Sequence, residues 1–236
     1  LRGEYGESFK RPAFELLLAG HAAAIHRIGV PQVQAQLEGK SDEQIREAAY
    51  ALRAKLTPID RTRMLIIRDE AAHIFTPTFP LDGRRFDLLN LSGKALPDRL
   101  EIPLSHFFGA NLFAEYLERA NLRWAHLEGA HLKRTHLEGA NLWNAHLEGT
   151  NLSGALLKGA DLHGAHLEGA DLREAYIDDE SQLEDATFNA TTRFGSFSYD
   201  DWKALPESEK EAARAPWIAR GMINVDAPQP ESADDD

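Results

Sequence analysis

From Phe107 to Ile177 every fifth residue is large and apolar: Phe107, thirteen leucines from Leu112 to Leu172, then Ile177. Two places before each, fourteen of these fifteen residues have Ala, Ser or Thr; the exception is Glu115. A period of five matches neither the helix (about 3.6) nor the strand (about 2), so neither element could gather these leucines on one face. A chain that turns a corner every five residues can. Each leucine and its small partner then point at a common axis, and the other three positions face outward. Those outward positions hold the His, Glu, Lys, Arg, Trp and Gly of the segment.

The flanks follow a different rhythm. Pro12 to Gly29 reads as a helix with Pro in its first turn and Gly after its end. Ser41-Asp42-Glu43-Gln44 is a capping box opening a helix to about Leu56. Thr57-Pro58-Ile59-Asp60 opens another to about Ile74, with Met64, Leu65, Ile67 and Ala71 on its apolar face. Residues 76–81 read as a linker around Pro77 and Pro80. Beyond the repeat, residues 199–205 and 206–214 read as short helices anchored by Trp202 and Trp217. A repeat array leaves strand edges open at both ends, so the flanking helices are expected to cap it.

The repeat unit is plainest in Ala140-Asn141-Leu142-Trp143-Asn144 and Ala160-Asp161-Leu162-His163-Gly164. These residues resemble the pentapeptide-repeat family, whose pattern is A(D/N)LXX, over residues 105–179. The resemblance implies an all-β solenoid, a right-handed quadrilateral β-helix with four pentapeptides in each coil. Leu89, Leu91 and Leu96 echo the frame before the array, and Leu183 and Phe188 continue it after a one-residue slip. That makes about four to five coils, a rod roughly 20 Å tall at the ordinary spacing of strands. The expected organisation is a helical region over 1–85, the β-helix over 86–197, C-terminal helices over 198–222 and a disordered acidic tail over 223–236.

Composition narrows the function. The chain has no cysteine, which excludes disulfides, thiolate metal sites and a Cys nucleophile and fits a cytoplasmic protein. The net charge is −12, and residues 104–180 alone hold 12 Asp+Glu against 6 Lys+Arg. Such a surface repels nucleic acid and anionic membranes, so no direct nucleic-acid binding is expected. No apolar run is long enough to span a bilayer and no signal peptide is recognisable. The chain begins at Leu1 rather than Met, so a membrane is expected only through an upstream segment. There is no Gly-x-Ser-x-Gly, P-loop or His-Glu-x-x-His, so no enzyme and no cofactor are expected.

With four-sided coils, His126, His146 and His166 stack, with Glu128, Glu148 and Glu168 beside them. Imidazole and carboxylate suit zinc, but rungs about 4.8 Å apart do not by themselves converge on one ion. The expectation is a solvated outward column without metal. Trp124 and Trp143 also face outward, and with the six ladder residues they form the candidate interaction face. Tyr116, His136, Leu156 and Tyr176 share another face, expected to lie under a flanking helix. The functional expectation is a non-catalytic protein–protein interaction or scaffold module with an unidentified protein partner. A homodimer through the C-terminal helices is a further option. The resemblance implies an alternative, a DNA mimic that binds DNA gyrase and modulates it or protects it from quinolones. A second alternative is the soluble part of a membrane-associated assembly.

Overall fold

Each pentapeptide makes one side of a four-sided coil. Parallel bridges join His106 to His126, Asn111 to His131, Tyr116 to His136 and Asn121 to Asn141, and the series continues upward at the same interval of twenty residues. The computed structural model describes residues 5–36, 42–69, 84, 86–89, 91, 102, 104–195 and 206–226. Within the array each side pairs through one residue, so the sides are isolated bridges rather than strands.

The leucines and their small partners form the core as expected; the every-fifth leucines from Leu112 to Leu172 and the Ala two places before them are buried. The exception Glu115 is buried as the small residues are. Inward hydroxyls remain satisfied because each donates to a carbonyl one coil below: Thr135 Oγ1 to Leu112 O and Thr150 Oγ1 to Leu127 O, both at 2.8 Å. The Asn/Asp position is explained by the turn. Asn111, Asn141, Asn151 and Asp161 each accept, on Oδ1, the N–H two residues on, which stabilises the bend locally. The corner residue after each bend has a left-handed φ, as in Gly129 at 64°. A side chain there is disfavoured, and Gly fills about half of these corners.

The frame slips twice near its end. Leu162 lies under Leu183, but Asp171 pairs with Arg193, so two residues have been added by then. The first slip is the expected one after Ile177; the second, near Asn189, brings Phe194 into the core. At each slip a backbone donor loses its carbonyl and is taken by two side chains. Gly159 N donates to Asp178 Oδ1 and Ser181 Oγ, and Gly169 N donates to Asn189 Oδ1 and Thr192 Oγ1. At the other end the stack reaches back to Arg84, whose carbonyl accepts from His106 N; Leu91 N donates to Asn111 O.

The helices are α1 (Tyr5–Ile28), α2 (Val30–Gln34), α3 (Asp42–Ala54), α4 (Pro58–Asp69) and α5 (Glu207–Ile218). Gly29 ends α1 in a left-handed turn, as its position predicts, but α1 starts at Tyr5, so Pro12 lies inside the helix and not in its first turn. A reciprocal box opens α4: Thr57 N and Oγ1 donate to Asp60 Oδ2, and Asp60 N donates to Thr57 Oγ1. Residues 70–74 of the expected helix, the 76–81 linker and the 199–205 helix lie outside the described residues.

The N-terminal helices are packed on the array. Ile25, Ile28, Val30, Ile45, Ala49, Leu52 and Leu56 share a core with Leu88 and Phe108. Gly109 and Gly129 admit α3: a Cβ on Gly129 would stand 2.6 Å from Ile45 Cγ2, and one on Gly109 2.8 Å from Ala49 Cβ. Arg53 Nη2 fastens the joint by donating to the carbonyls of Leu88 and Gly109 at 3.0 and 2.9 Å. The buried His21 ring nitrogen Nε2 meets Asp87 O at 3.1 Å, so this histidine is structural.

The C-terminal end is closed by the chain itself. Trp217 of α5 stacks on Phe194 at 5.2 Å. Arg214 donates to Ala190 O, and Arg220 to the carbonyls of Asp178 and Ser181, which the slips leave exposed. Helix α5 runs past Arg214 to Ile218 and carries Pro216 in its last turn. Residues expected to begin the disordered tail are instead ordered. β2 (Ile223–Asn224) pairs in parallel with β1 (Thr187–Phe188), because the last coil offers an unpaired edge and Met222 is buried beneath it. Phenylalanines seal both ends: Phe86 stacks on Phe107, and Phe188 meets Phe194 edge-on.

Candidate functional site

The histidine column is real and longer by one rung than expected. His106, His126, His146 and His166 stack with ring centroids 4.5, 4.5 and 4.9 Å apart and planes within 10° of parallel. These histidines stand where Asn stands on other sides, one place before the central leucine. An imidazole cannot make the short bond to the N–H two residues on. It reaches the side chain there instead: His126 Nδ1 lies 2.8 Å from Glu128 Oε1, and His146 Nδ1 lies 3.2 Å from Glu148 Oε1. His166 Nδ1 instead faces Thr187 Oγ1 at 3.3 Å.

The column is not freely solvated, which corrects the sequence expectation. It forms the floor of a groove of about 740 Å³. Pro31, Gln34 and Ala35 at α2 form one wall; Val225 and Asp226, just after β2, form another part of the rim. Gln34 Nε2 donates to Glu128 Oε2 at 3.3 Å, and Glu128 is only 5% exposed. The cause is the docking of the helices, which the repeat alone could not announce. The hydrogen bond to Glu148 lifts the His146 pKa above its ordinary value, against burial, with Glu128 and Glu168 adding to the rise. Burial raises the Glu148 carboxyl, and the nearby Glu128 charge adds to it, against the bond from His146.

The family model for pentapeptide repeats matches residues 116–154 and 135–174, with 8 copies. Residues 116–174 belong to the pentapeptide-repeat family. No curated protein matches the chain. Among solved structures, the pentapeptide-repeat protein Rfr23 from the cyanobacterium Cyanothece 51142 is 27% identical, over 48% of this chain and 85% of that one, with a TM-score of 0.27. A pentapeptide-repeat protein of the Arabidopsis thaliana thylakoid lumen is 31% identical, over 39% of this chain and 55% of that one, with a TM-score of 0.21. The plasmid-mediated fluoroquinolone resistance protein QnrB1 is 18% identical, over 50% and 64% of the two chains, with a TM-score of 0.25.

The candidate face does not hold together on the pentapeptide-repeat array. Trp124 and Trp143 sit after the Leu122 and Leu142 sides, and the groove is lined by the histidine column without them. They form their own cluster: the two indoles meet edge-on at 5.4 Å, Trp143 stacks over His163 at 6.3 Å, and the Arg123 guanidinium lies 4.5 Å from the Trp143 ring centre. The face of Tyr116, His136, Leu156 and Tyr176 is the open one. Tyr116 and Tyr176 are 53% and 54% exposed. The helices settle on the Gly109–Gly129 corner instead, where the missing Cβ atoms allow close approach. His106 and Gln34 were absent from the sequence-derived set. Counting back one coil from His126 finds His106; Gln34 has no signal in the repeat.

A second charged cluster stands at the Asp171 rung. Asp171 Oδ2 meets Arg173 at 2.6 Å and Arg193 at 3.2 Å, with Asp171 2% and Arg193 3% exposed. Burial opposes ionisation of Asp171, but the Arg173 hydrogen bond and the charges of Arg193 and Arg173 prevail and hold its carboxyl below the ordinary range.

Proposed function

We propose that this chain is a non-catalytic protein–protein interaction or scaffold module built on a right-handed quadrilateral β-helix. The observation that carries the reading is the open face: Tyr116 and Tyr176 stay half exposed in line with His136 and Leu156, while the opposite histidine column lies under the chain's own helix and strand. The array interior is filled with Leu and Ala, so its chemistry lies on its outer faces. Aromatic side chains in an aligned patch are typical anchors for a protein partner.

The gyrase alternative draws on the acidity of the array. Part of that acid is withheld from the surface: of the twelve acidic residues in 104–180, Glu115, Glu128 and Asp171 are buried, and Asp171 is matched by Arg173 and Arg193. A duplex-like display of charge is therefore somewhat weaker than composition suggests, with nine of the twelve carboxylates still outside the buried set. The C-terminal homodimer loses support in a similar way, since Trp217 and Arg214 are engaged on the chain's own last coil. As for the membrane alternative, no helix among the described residues is long and apolar enough to cross a bilayer.

Capture from native lysate, comparing the wild-type chain with a Tyr116→Ala/Tyr176→Ala double variant, tests the reading. The expected result is a stoichiometric protein bound by the wild type at both low and high salt and lost from the double variant. Identical capture by both chains overturns the open-face assignment. Gyrase subunits captured only at low salt would establish the mimic instead.

A further inference from the structure

The groove over the histidine column has the donors of a cation site, and nothing in the scaffold function uses them. We propose that His126, Glu128 and His146 bind a divalent cation of the zinc class, with the fourth position open to the groove. One ligand atom from each of the three lies within 4.8 Å of the others. A tetrahedral zinc with bonds of about 2.0–2.2 Å places its ligands about 3.3 Å apart. His126 Nδ1 and Glu128 Oε1, hydrogen-bonded at 2.8 Å, stand slightly closer than such an edge, and His146 Nδ1 lies 3.2 Å from Glu148 Oε1; the site closes when the ion replaces the proton between the first two and His146 turns from Glu148 toward them. Two imidazoles and one carboxylate make a borderline donor set that suits zinc over magnesium or calcium.

Two features separate this place from an ordinary surface His–Glu pair, and a third adds to them. Coils on a filled core set the His126 and His146 rings on one face with centroids 4.5 Å apart, so one ring has only to rotate, not to travel, to share an ion. Glu128 is buried, and Gln34 donates to its second oxygen at 3.3 Å, orienting the first toward His126. Directly above, Glu148 Oε2 and Glu168 Oε2 are buried without a hydrogen-bond partner, a state that Glu118 Oε2 and Glu138 Oε2 share on the open face. A column of carboxylates in that state favours a cation in the groove over further solvent. The cation would also tie the array to α2 through Gln34, giving the joint between helices and rod a metal-dependent component.

The array supplies its own control. Glu118, His136 and Glu138 form a cluster of the same size on the open face. His136 Nδ1 lies 4.0 and 3.4 Å from its two carboxylates, and the half-exposed Tyr116 and Tyr176 stand in line with it.

The test is competition for Zn²⁺ between a chromophoric chelator and the full-length, tag-free protein stripped of metal, at neutral pH. The expected result is one equivalent bound with a dissociation constant of about 1 µM or tighter. His146→Ala and the isosteric Glu128→Gln should each weaken it at least about 100-fold, Gln34→Leu by about 10-fold, and His136→Ala not at all. Far-UV circular dichroism and thermal melts establish that each variant is folded; Zn²⁺ should raise the melting temperature of the wild type and not that of Glu128→Gln. Binding that does not saturate, or that survives Glu128→Gln in a folded protein, overturns the proposal.

Discussion

Asp171→Asn should destabilise the protein by about 3 kcal/mol, read from denaturant unfolding, because removing one partner leaves a buried cation without its counter-charge. Asp171 is the only carboxylate on which Arg173 and Arg193 both converge among the described residues, and Arg193 is 3% exposed. The substitution keeps the shape and an acceptor for the Arg173 N–H, so the loss isolates the charge. Acid has the same effect on the wild type. The Asp171 carboxyl is held below its ordinary 3.8, so its contribution is complete above that pH and disappears as the pH falls through the lowered value. Asp60 adds to the acid limb: burial opposes its ionisation, but Thr57 and Arg27 lower its carboxyl. Asp171→Asn should therefore lose less stability between pH 5 and pH 2 than the wild type does, about one carboxylate's share. A variant within about 1 kcal/mol of the wild type, with an unchanged acid limb, would show that the triad is not formed.

Leu147→Ala should be destabilising by about 3–4 kcal/mol, in the range for a leucine lost from a tight core. Leu147 is fully buried midway along the array, between Leu127 and Leu167. Coils above and below are held by carbonyl-to-amide bonds on every side, as from Leu147 N to His166 O and Leu127 N to His146 O, both 2.8 Å. The backbone can therefore collapse little into the void, which places the loss toward the upper part of that range. Lys158→Ala on the exposed surface of the same array should change stability by less than about 0.5 kcal/mol. Equal effects at the two positions would mean that the leucines do not share an interior.

The core was legible because it is a property of each pentapeptide taken alone. Leucine at the centre and Ala two places before can be read without knowing what lies nearby, and the stacked His126, His146 and His166 follow from counting. What escaped depends on contacts between distant segments. The second slip is invisible because Asn189 and Thr192 replace a lost carbonyl with side-chain acceptors, a repair that leaves no period behind. The covered face was misassigned because aromatic content suggested packing at Tyr116 and Tyr176, while the decisive feature was the absence of a Cβ at Gly109 and Gly129. Ile223 and Asn224 look like the start of a polar tail, yet the unpaired edge of the last coil orders them. The groove required α2, the histidine column and β2 together, so its residues could be named individually and not as a site.

Within the array residues twenty apart are neighbours and residues ten apart are not. The chain has no cysteine, so paired cysteines can be introduced cleanly. Leu156 and Tyr176 are bridged neighbours on the open face, whereas His166 belongs to the histidine column on another side. With Leu156→Cys/Tyr176→Cys, a short thiol-bridging reagent should join the pair rapidly and nearly completely, since bridged rungs lie about 4.8 Å apart. Leu156→Cys/His166→Cys, separated by the filled core, should react only at single sites. Cross-linking of the second pair as fast as the first would contradict the four-sided coil and, with it, the groove, the open face and the functions assigned to them.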